Sequence, residues 1–278
     1  MAKKWMSSDE TVFVLREEQR PYDALFPGYY STHMNHLGET IFTKIDDKSD
    51  DIISFTDSPV NQITSEIQTF WTKKSFFKQH GFPFKRGILL YGEPGCGKSF
   101  VIKSIVNELK NEGVAILVDM GSFNSAMNKL RSQNKNLPVI AIMEDLDSML
   151  EDDEEDVLDM LDGFGGYEDI VFIATTNYLH KLPPRISNRP NRFDKKFQIN
   201  HPGENTRREY FNYLASKSNI GQDKVEKLVS VSDGLSFAHL KELFVSAMCF
   251  EVDIAVAAEN LRNMAESILE EEGLVEDD

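Results

Sequence analysis

The chain has 278 residues, of which 41% are hydrophobic, and its formal net charge is −16. This composition excludes an intrinsically disordered protein and disfavours one that works mainly by binding nucleic-acid phosphates, since such proteins present a basic surface. The two cysteines, Cys96 and Cys249, are far apart and indicate no disulfide framework. Neither a signal peptide nor an apolar run of membrane-spanning length is recognisable, so we expect a cytoplasmic protein with no transmembrane segment.

In chain order, residues 1–57 mix short β-like runs with aromatic and turn residues, which predicts an N-terminal extension or small accessory domain. Over residues 58–201, apolar strands alternate with helices, a pattern typical of a parallel sheet covered on both faces. Only helical patterns follow over residues 202–270, so we expect a small all-helical lid domain there, and residues 271–278 form an acidic tail. The predicted strands are GILLYG, VAILVDM, VIAIM, IVFIATT and KKFQI. The predicted helices are Ser58–Phe77, Lys98–Asn111, Ser122–Asn134, Glu154–Gly163, Arg207–Lys217, Gln222–Ser230, Ser236–Phe250 and Asp253–Leu269.

A glycine-rich loop joins the first of these strands to a helix. Its residues, Gly92 to Ser99, match the pattern G-x-x-x-x-G-K-[ST] in full. Glycines allow successive backbone N–H groups to point at phosphate oxygens, and the helix adds its positive end. We expect Lys98 to reach the β- and γ-phosphates of a nucleotide and the Ser99 hydroxyl to bind Mg²⁺. The predicted nucleotide-binding residues are Glu93, Pro94, Gly95, Cys96, Gly97, Lys98, Ser99 and Phe100.

An acidic cluster follows the apolar strand VIAIM. A phosphate-binding loop needs an acid at the end of a neighbouring strand to complete the Mg²⁺ site and to polarise water. Glu144 and Asp145 stand in that place, in the order opposite to the usual Asp-Glu of such ATPases. By position, Glu144 faces Mg²⁺ and Asp145 orients the attacking water. In an alternative register Asp145 takes the metal role and the base is left unassigned.

These motifs, in this order, resemble the AAA branch of the AAA+ ATPases from about Ser58 to Cys249. The entry helix and phosphate loop (Walker A) are FFKQHGFPFKRGILLYGEPGCGKS, the acidic strand (Walker B) is IAIMEDLD, and the sensor strand is IVFIATTN. SNRPNRFDKKF is similar to the region that carries arginine fingers, and SDGLSFAHLKEL to the start of the lid's sensor-2 helix. The Glu-Asp order and the KRG before the first strand are most similar to the branch of the mitochondrial Rieske-protein translocase.

The resemblance implies an α/β fold with a five-stranded parallel P-loop sheet, flanking helices and a small helical lid. It also implies ATP and Mg²⁺ as ligands. Asn177 would be the sensor that contacts the γ-phosphate or the attacking water. Arg189 and Arg192 would be fingers that point across a subunit boundary into a neighbour's ATP, so that a lone subunit has an incomplete site. A homo-oligomeric ring, most often a hexamer in this family, follows from that arrangement.

One expected feature departs from the family. Unfoldases of the family carry an aromatic-hydrophobic-Gly pore loop after the second strand, where this chain reads VDMGSFNSAM. Phe123 is either a pore contact or, as we favour, a core residue of the next helix together with Met127 and Leu130.

The sequence thus favours a ring-forming, Mg-ATP-hydrolysing ATPase that remodels or translocates a protein substrate. Two alternatives stay open. One is an ATP-dependent factor that acts on nucleic acid, like a helicase or clamp loader, although the acidic composition disfavours that partner. The other is a scaffold held together by ATP with little turnover, since Asp145 has one methylene less reach than glutamate.

Overall fold

The computed structural model of the chain describes residues 3–6, 14–17, 25–45, 53, 55–162, 168–187, 189, 191–218 and 220–271. The predicted acidic tail lies outside these residues beyond residue 271. The described strands are β1 (Lys3–Met6), β2 (Val14–Glu17), β3 (Gly28–Met34), β4 (Thr40–Lys44), β5 (Lys85–Tyr91), β6 (Val114–Leu117), β7 (Val139–Met143), β8 (Ile170–Thr176) and β9 (Lys195–Gln198). The described helices are α1 (Val60–Trp71), α2 (Lys74–His80), α3 (Lys98–Leu109), α4 (Met120–Gln133), α5 (Leu146–Asp162), α6 (Pro184–Ser187), α7 (Glu204–Ser216), α8 (Gln222–Val231), α9 (Phe237–Met248) and α10 (Ile254–Glu271).

Seven strands form the main sheet, in the order β4-β3-β6-β7-β8-β5-β9. Every neighbouring pair is parallel except β3 and β4. The α/β fold class with a parallel-dominated sheet and a helical C-terminal region is confirmed. The strand count differs from the predicted five, because β3 pairs with β6 and brings the antiparallel β4 with it. The boundary at residue 57 stays a prediction, but β3 and β4, which precede it, are hydrogen-bonded into the same sheet.

Both faces of the sheet are buried, as the apolar strands predict. Successive residues of a strand point to opposite faces, so Leu89 joins the core beneath α4 and α5 while Ile88 and Leu90 join the core beneath α1 and α3. Phe123 is fully buried in the first of these cores, together with Met127. The structure therefore places Phe123 in the core rather than at a pore. A third core lies between helices α7 to α10.

Two predicted helices differ from those observed. The first is divided at Thr72, whose amide donates to the carbonyl oxygens of Gln68 and Thr69, so α1 ends there and the short α2 follows. The acidic run of residues 151–156 lies within α5, which begins directly after Asp145 and is interrupted at Asp153, where φ is −144° and ψ is 56°. Buried apolar residues on α5 hold these acidic residues in a helix.

None of the described helices is both long and apolar enough to cross a bilayer.

A close backbone approach fixes the start of β5. A Cβ built on Gly87 would lie 1.6 Å from the carbonyl oxygen of Arg192. Two hydrogen bonds also fix the Gly87 backbone. Its amide donates to the Asp194 carboxylate at 3.0 Å, and its carbonyl oxygen accepts the Asp194 amide at 2.9 Å.

We therefore expect Gly87→Ala to lower the free energy of unfolding by about 1–3 kcal/mol or more, since the backbone on both sides would have to move. Gly121→Ala in α4 is the control: its nearest neighbour would be an Asp119 oxygen at 3.8 Å, and alanine in a helix is favoured by about 0.5–1 kcal/mol over glycine. Urea unfolding of both variants measures the difference. Equal stabilities for Gly87→Ala and the unmodified protein would contradict the packing described.

Candidate active site

The predicted site residues follow the ends of three adjacent strands. β8 lies between β5 and β7, with Tyr91 of β5 opposite Thr176 and Met143 of β7 opposite Ala174. The carboxyl ends of parallel strands meet at one edge of a sheet, which is where ligands bind in open α/β folds. The phosphate-type loop after β5, the acidic turn after β7 and Asn177 after β8 are therefore brought together.

The loop after β5 requires glycine at two contacts. A Cβ on Gly92 would lie 2.0 Å from the carbonyl oxygen of Ile199. Gly97 precedes α3 with a φ of 101°, and a Cβ there would lie 2.9 Å from the ring of Phe237. The loop is thus enclosed between the end of β9 and the start of α9, and its backbone amides precede the first turn of α3.

Lys98 is the first residue of α3 and is buried. Its Nζ donates to the carbonyl oxygens of Gly92 at 2.6 Å and Glu93 at 2.9 Å, so the ammonium group is held against the loop. Burial lowers the pKa of Lys98, while nearby Cys96 and Asp145 act in the opposite direction. Ser99, the next residue, is exposed on the first turn of the helix.

The acidic turn holds Asp145 in an unusual conformation. Its φ is 52°, in the left-handed region that aspartate and asparagine tolerate better than most residues. The Asp145 amide donates to Thr175 Oγ1 at 3.0 Å, and its carbonyl accepts the Met149 amide at 3.2 Å as α5 begins. The Asp145 side chain is exposed and that of Glu144 is half-buried. Both carboxylates follow β7, and this arrangement is compatible with either predicted assignment: Glu144 or Asp145 as the residue that binds Mg²⁺.

Two threonines at the end of β8 contact the other parts of the site. Thr176 Oγ1 donates to Asp147 Oδ1 at 2.8 Å and accepts the Tyr178 amide at 3.0 Å. The Thr176 carbonyl accepts the Gly92 amide at 3.4 Å. Sequence reasoning missed Thr175 and Thr176, although their hydroxyls are the polar end of the otherwise apolar strand IVFIATT.

The helical C-terminal region, which is the predicted lid, touches the loop directly. The Phe237 amide at the start of α9 donates to the Gly95 carbonyl at 3.0 Å. The Phe237 ring stacks on Phe55, with centroids 5.1 Å apart, and Phe55 lies 5.1 Å from Phe100. A cavity of about 170 Å³ lies beside these three rings, and it is bordered by Cys96 and by the segment that joins β9 to α7. Neither Phe55 nor Phe237 was predicted as a site residue: Phe55 belongs to no motif, and Phe237 entered only as part of the segment SDGLSFAHLKEL.

His201 joins the loop to the lid. Its Nδ1 lies 2.5 Å from the Gly234 carbonyl oxygen and its Nε2 lies 2.8 Å from Glu93 Oε2. Both partners are acceptors, so both ring nitrogens donate, which requires the imidazolium form. A hydrogen bond with Cys96, followed by those with Gly234 and Glu93, raises the pKa of His201 to about 9, although burial acts to lower it.

The two predicted finger arginines lie at the other end of β5. Arg192 is 4% exposed and binds Asp162 through Nε at 2.9 Å and Nη2 at 2.7 Å, while its Nη1 donates to the Arg185 carbonyl at 2.6 Å. Arg189 is 57% exposed and lies 3.6 Å from the same carboxylate. Arg192, also predicted to point outward, instead lies inside its own subunit.

The distance along β5 separates these arginines from the loop of the same chain. The Arg192 backbone packs on Gly87, five residues before Gly92. Five residues of strand span about 17 Å at about 3.3 Å each. Neither arginine is therefore brought to the phosphate-type loop of its own subunit.

The donor set suits Mg²⁺ bound together with phosphate oxygens. The described residues contain no group of three or more His, Cys, Asp or Glu side chains that would hold a metal alone. Mg²⁺ is commonly bound by one or two carboxylates, with substrate phosphates and water completing the shell. Ser99, Glu144 and Asp145 supply a hydroxyl and carboxylates next to a glycine-lined loop, which fits that requirement.

The His201 contacts predict a pH-dependent stability. Because folding raises the pKa of His201 from 6.5 to about 9, its stabilising contribution is complete below about pH 6.5 and is lost as the pH rises through about 9. We expect His201→Gln to be destabilised relative to the unmodified protein at pH 6 and to match it above pH 9–10. Urea unfolding at pH 6, 8 and 10 measures this, and a difference that is constant across these pH values would contradict it.

A model of the family "ATPase family associated with various cellular activities (AAA)" matches residues 88–201. Among curated relatives, "Probable 26S proteasome regulatory subunit 4" of Caenorhabditis elegans is 23% identical, over 85% of this chain and 60% of the relative. "Cell division cycle protein 48 homolog" of Archaeoglobus fulgidus is 26% identical, over 70% of this chain and 31% of the relative. "Probable mitochondrial chaperone bcs1" of Schizosaccharomyces pombe is 27% identical, over 72% of this chain and 47% of the relative.

The chain spans about half the length of the curated relatives that it matches. The matched segment begins within β5 and ends three residues after β9, and it contains the loop, the acidic turn, Asn177 and both arginines. Residues 88–201, which hold the candidate site, are therefore similar to the AAA ATPase family.

Proposed function

We propose that the chain is a Mg²⁺-dependent ATPase whose copies assemble into a ring that remodels or translocates a protein substrate. The observation that carries the ATPase proposal is the meeting of three strand ends: a glycine-lined loop with a buried Lys98, a turn with two carboxylates, and Asn177. The relatives named as a proteasome regulatory subunit, a cell division cycle protein 48 homolog and a mitochondrial chaperone support a protein substrate.

Each part of the site has a role in this proposal. The triphosphate of ATP replaces the Gly92 and Glu93 carbonyls as the partner of Lys98. The adenine base of ATP occupies the cavity beside Phe55, Phe100 and Phe237. Mg²⁺, held by Ser99 and Glu144, would neutralise charge on the phosphates. The exposed Asp145 orients water and accepts its proton, and Asn177 contacts the γ-phosphate or that water.

A neighbouring subunit completes the site. Arg189 is exposed and distant from the loop of its own chain, as a residue that acts in trans must be. The buried Arg192 holds Asp162, and we assign it to positioning the segment that presents Arg189. This refines the prediction that both arginines are fingers.

Exposed apolar side chains support contacts between copies. Phe76, His80 and Phe82 form an exposed aromatic patch at α2, with centroids 4.3 Å and 5.8 Å from the His80 ring. Phe250 and Val256 are exposed on the lid. Exposed apolar side chains on two separate parts of one chain suit a heterologous interface, and heterologous interfaces that close form rings. A hexamer is the proposed number by resemblance to the family.

Three further predictions from the sequence stay proposals. These are the branch of the Rieske-protein translocase, the cytoplasmic location and the domain boundaries. A nucleic-acid factor would instead show hydrolysis stimulated by single-stranded DNA with a steep salt dependence. An ATP-held scaffold would bind ATP in a ring with negligible turnover.

The first test is hydrolysis by Asp145→Asn. Asparagine tolerates the left-handed backbone at this position, so the fold should persist, but the amide cannot accept a proton. We expect phosphate release at saturating Mg-ATP to fall by about 100-fold or more, because general-base catalysis contributes about 10²–10⁴-fold. Affinity for a non-hydrolysable ATP analogue should be kept. Unchanged turnover in this variant, or no turnover in the unmodified protein with any protein or DNA added, would contradict the proposal.

A complementation test addresses the trans arrangement. Arg189→Ala and Asp145→Asn proteins should each be nearly inactive alone. In mixed rings, an Arg189→Ala subunit keeps Asp145 and can receive Arg189 from an Asp145→Asn neighbour, so co-expression should restore hydrolysis. The control pairs Arg189→Ala with the double variant Arg189→Ala/Asp145→Asn and should restore none. Failure of the first pair to recover activity, with mixed assembly verified by two affinity tags, would refute action in trans.

A further inference from the structure

The end of β8 is linked to the acidic turn and to the glycine-rich loop. Thr175 and Thr176 are 2% and 0% exposed and point to opposite faces of the sheet. Thr175 Oγ1 accepts a hydrogen bond from the Asp145 amide, and Thr176 Oγ1 donates one to Asp147 Oδ1, so both threonines hold the acidic turn. Asn177 follows them directly in the chain.

The hydrogen bond to Thr175 supports a costly backbone conformation. The left-handed region is unfavourable for residues other than glycine, although aspartate tolerates it better than most, and Asp145 has a φ of 52°. Two described hydrogen bonds fix the Asp145 backbone. Its carbonyl oxygen accepts the Met149 amide at the start of α5, and its amide donates to Thr175 Oγ1. Loss of that acceptor would leave the turn free to relax.

The direction of the Asp145 side chain depends on this conformation. The side chain is one methylene shorter than the glutamate usual in such ATPases, so it has less freedom to compensate for a displaced backbone. A displacement of about 1 Å at a catalytic group can cost on the order of 100-fold in rate.

We propose that Thr175 is a positioning residue that fixes the backbone of Asp145 and thereby sets the rate of the hydrolytic step. This inference rests on the proposed ATPase function. Thr176 acts on the same turn through Asp147 and joins it to the Gly92 amide of the loop. Thr175 itself contacts no phosphate-binding residue in the described contacts, so it should affect kcat and leave nucleotide binding unchanged.

The test compares three substitutions. Thr175→Val keeps the shape of the side chain but removes the acceptor, and Thr175→Ser keeps the hydroxyl. Thr64→Val is the matched control, because Thr64 is also buried and its hydroxyl has no hydrogen-bond partner among the described residues. We expect Thr175→Val to lower kcat by about tenfold or more, with KM and ATP-analogue affinity within about twofold of the unmodified protein. Thr175→Ser should recover most of kcat, and Thr64→Val should leave it unchanged.

Hydrogen exchange provides a readout that does not require turnover. In the nucleotide-free protein, the Asp145 amide should exchange faster in Thr175→Val than in the unmodified protein or Thr175→Ser. An unchanged kcat in Thr175→Val while the unmodified protein hydrolyses ATP would overturn this inference alone. A rise in KM without a change in kcat, or an equal loss in Thr175→Ser, would also overturn it. If the unmodified protein hydrolyses no ATP, the proposed function fails, and the claim about kcat fails with it.

Discussion

The pairing of β8 with both β5 and β7 is the constraint on which the rest of the site depends. Each strand ends in a different chemical group: a lysine in a glycine-lined loop, two carboxylates in a turn, and an asparagine. Parallel pairing in the observed register brings these ends to one edge, and buried hydroxyls tie the central strand to the turn. A shift of one residue in either register would turn each threonine to the opposite face and separate the three groups.

The same edge of the sheet is also where the lid begins. The Gly95 carbonyl accepts the Phe237 amide, and the Phe237 ring lies so close to Gly97 that no side chain fits between them. His201 adds a charged contact from the segment between β9 and α7 to Glu93. A change in the loop on nucleotide binding would therefore reach the lid through directly contacting atoms, which gives a physical route from the proposed ATP site to movement of the helical region.

The sequence predicted the parts of the site whose chemistry is carried by short motifs. Apolar runs located β5, β7 and β8, and the motifs after these strands, together with the family resemblance, predicted that Lys98, Glu144, Asp145 and Asn177 share one site. β3 was missed because its sequence, GYYSTHM, contains glycine and several polar residues instead of an apolar run and lies among turn residues. The helix predicted from Glu154 begins earlier, at Leu146, because Leu146, Leu150, Val157 and Leu161 are buried at helical spacing.

Other features depend on contacts between distant residues, which no local pattern reveals. Arg192 matches a motif position that implies exposure, yet Asp162, 30 positions earlier, binds it inside the subunit. The cavity beside Phe55, Phe100 and Phe237 joins three separate segments, and only their contact in the fold brings Phe55 and Phe237 to the predicted site residue Phe100. The roles of Thr175 and Thr176 follow from their hydrogen bonds rather than from their identity.

The most direct test of the central claim is a structure of the assembled protein with Mg²⁺ and a non-hydrolysable ATP analogue. The account predicts the triphosphate in the loop of residues 92–99, with Lys98 released from the Gly92 and Glu93 carbonyls and Glu144 and Asp145 beside the metal. Arg189 of an adjacent copy should approach the γ-phosphate, while Arg192 stays on Asp162. An analogue bound elsewhere, or a γ-phosphate that meets no arginine from another copy in a closed assembly, would contradict it.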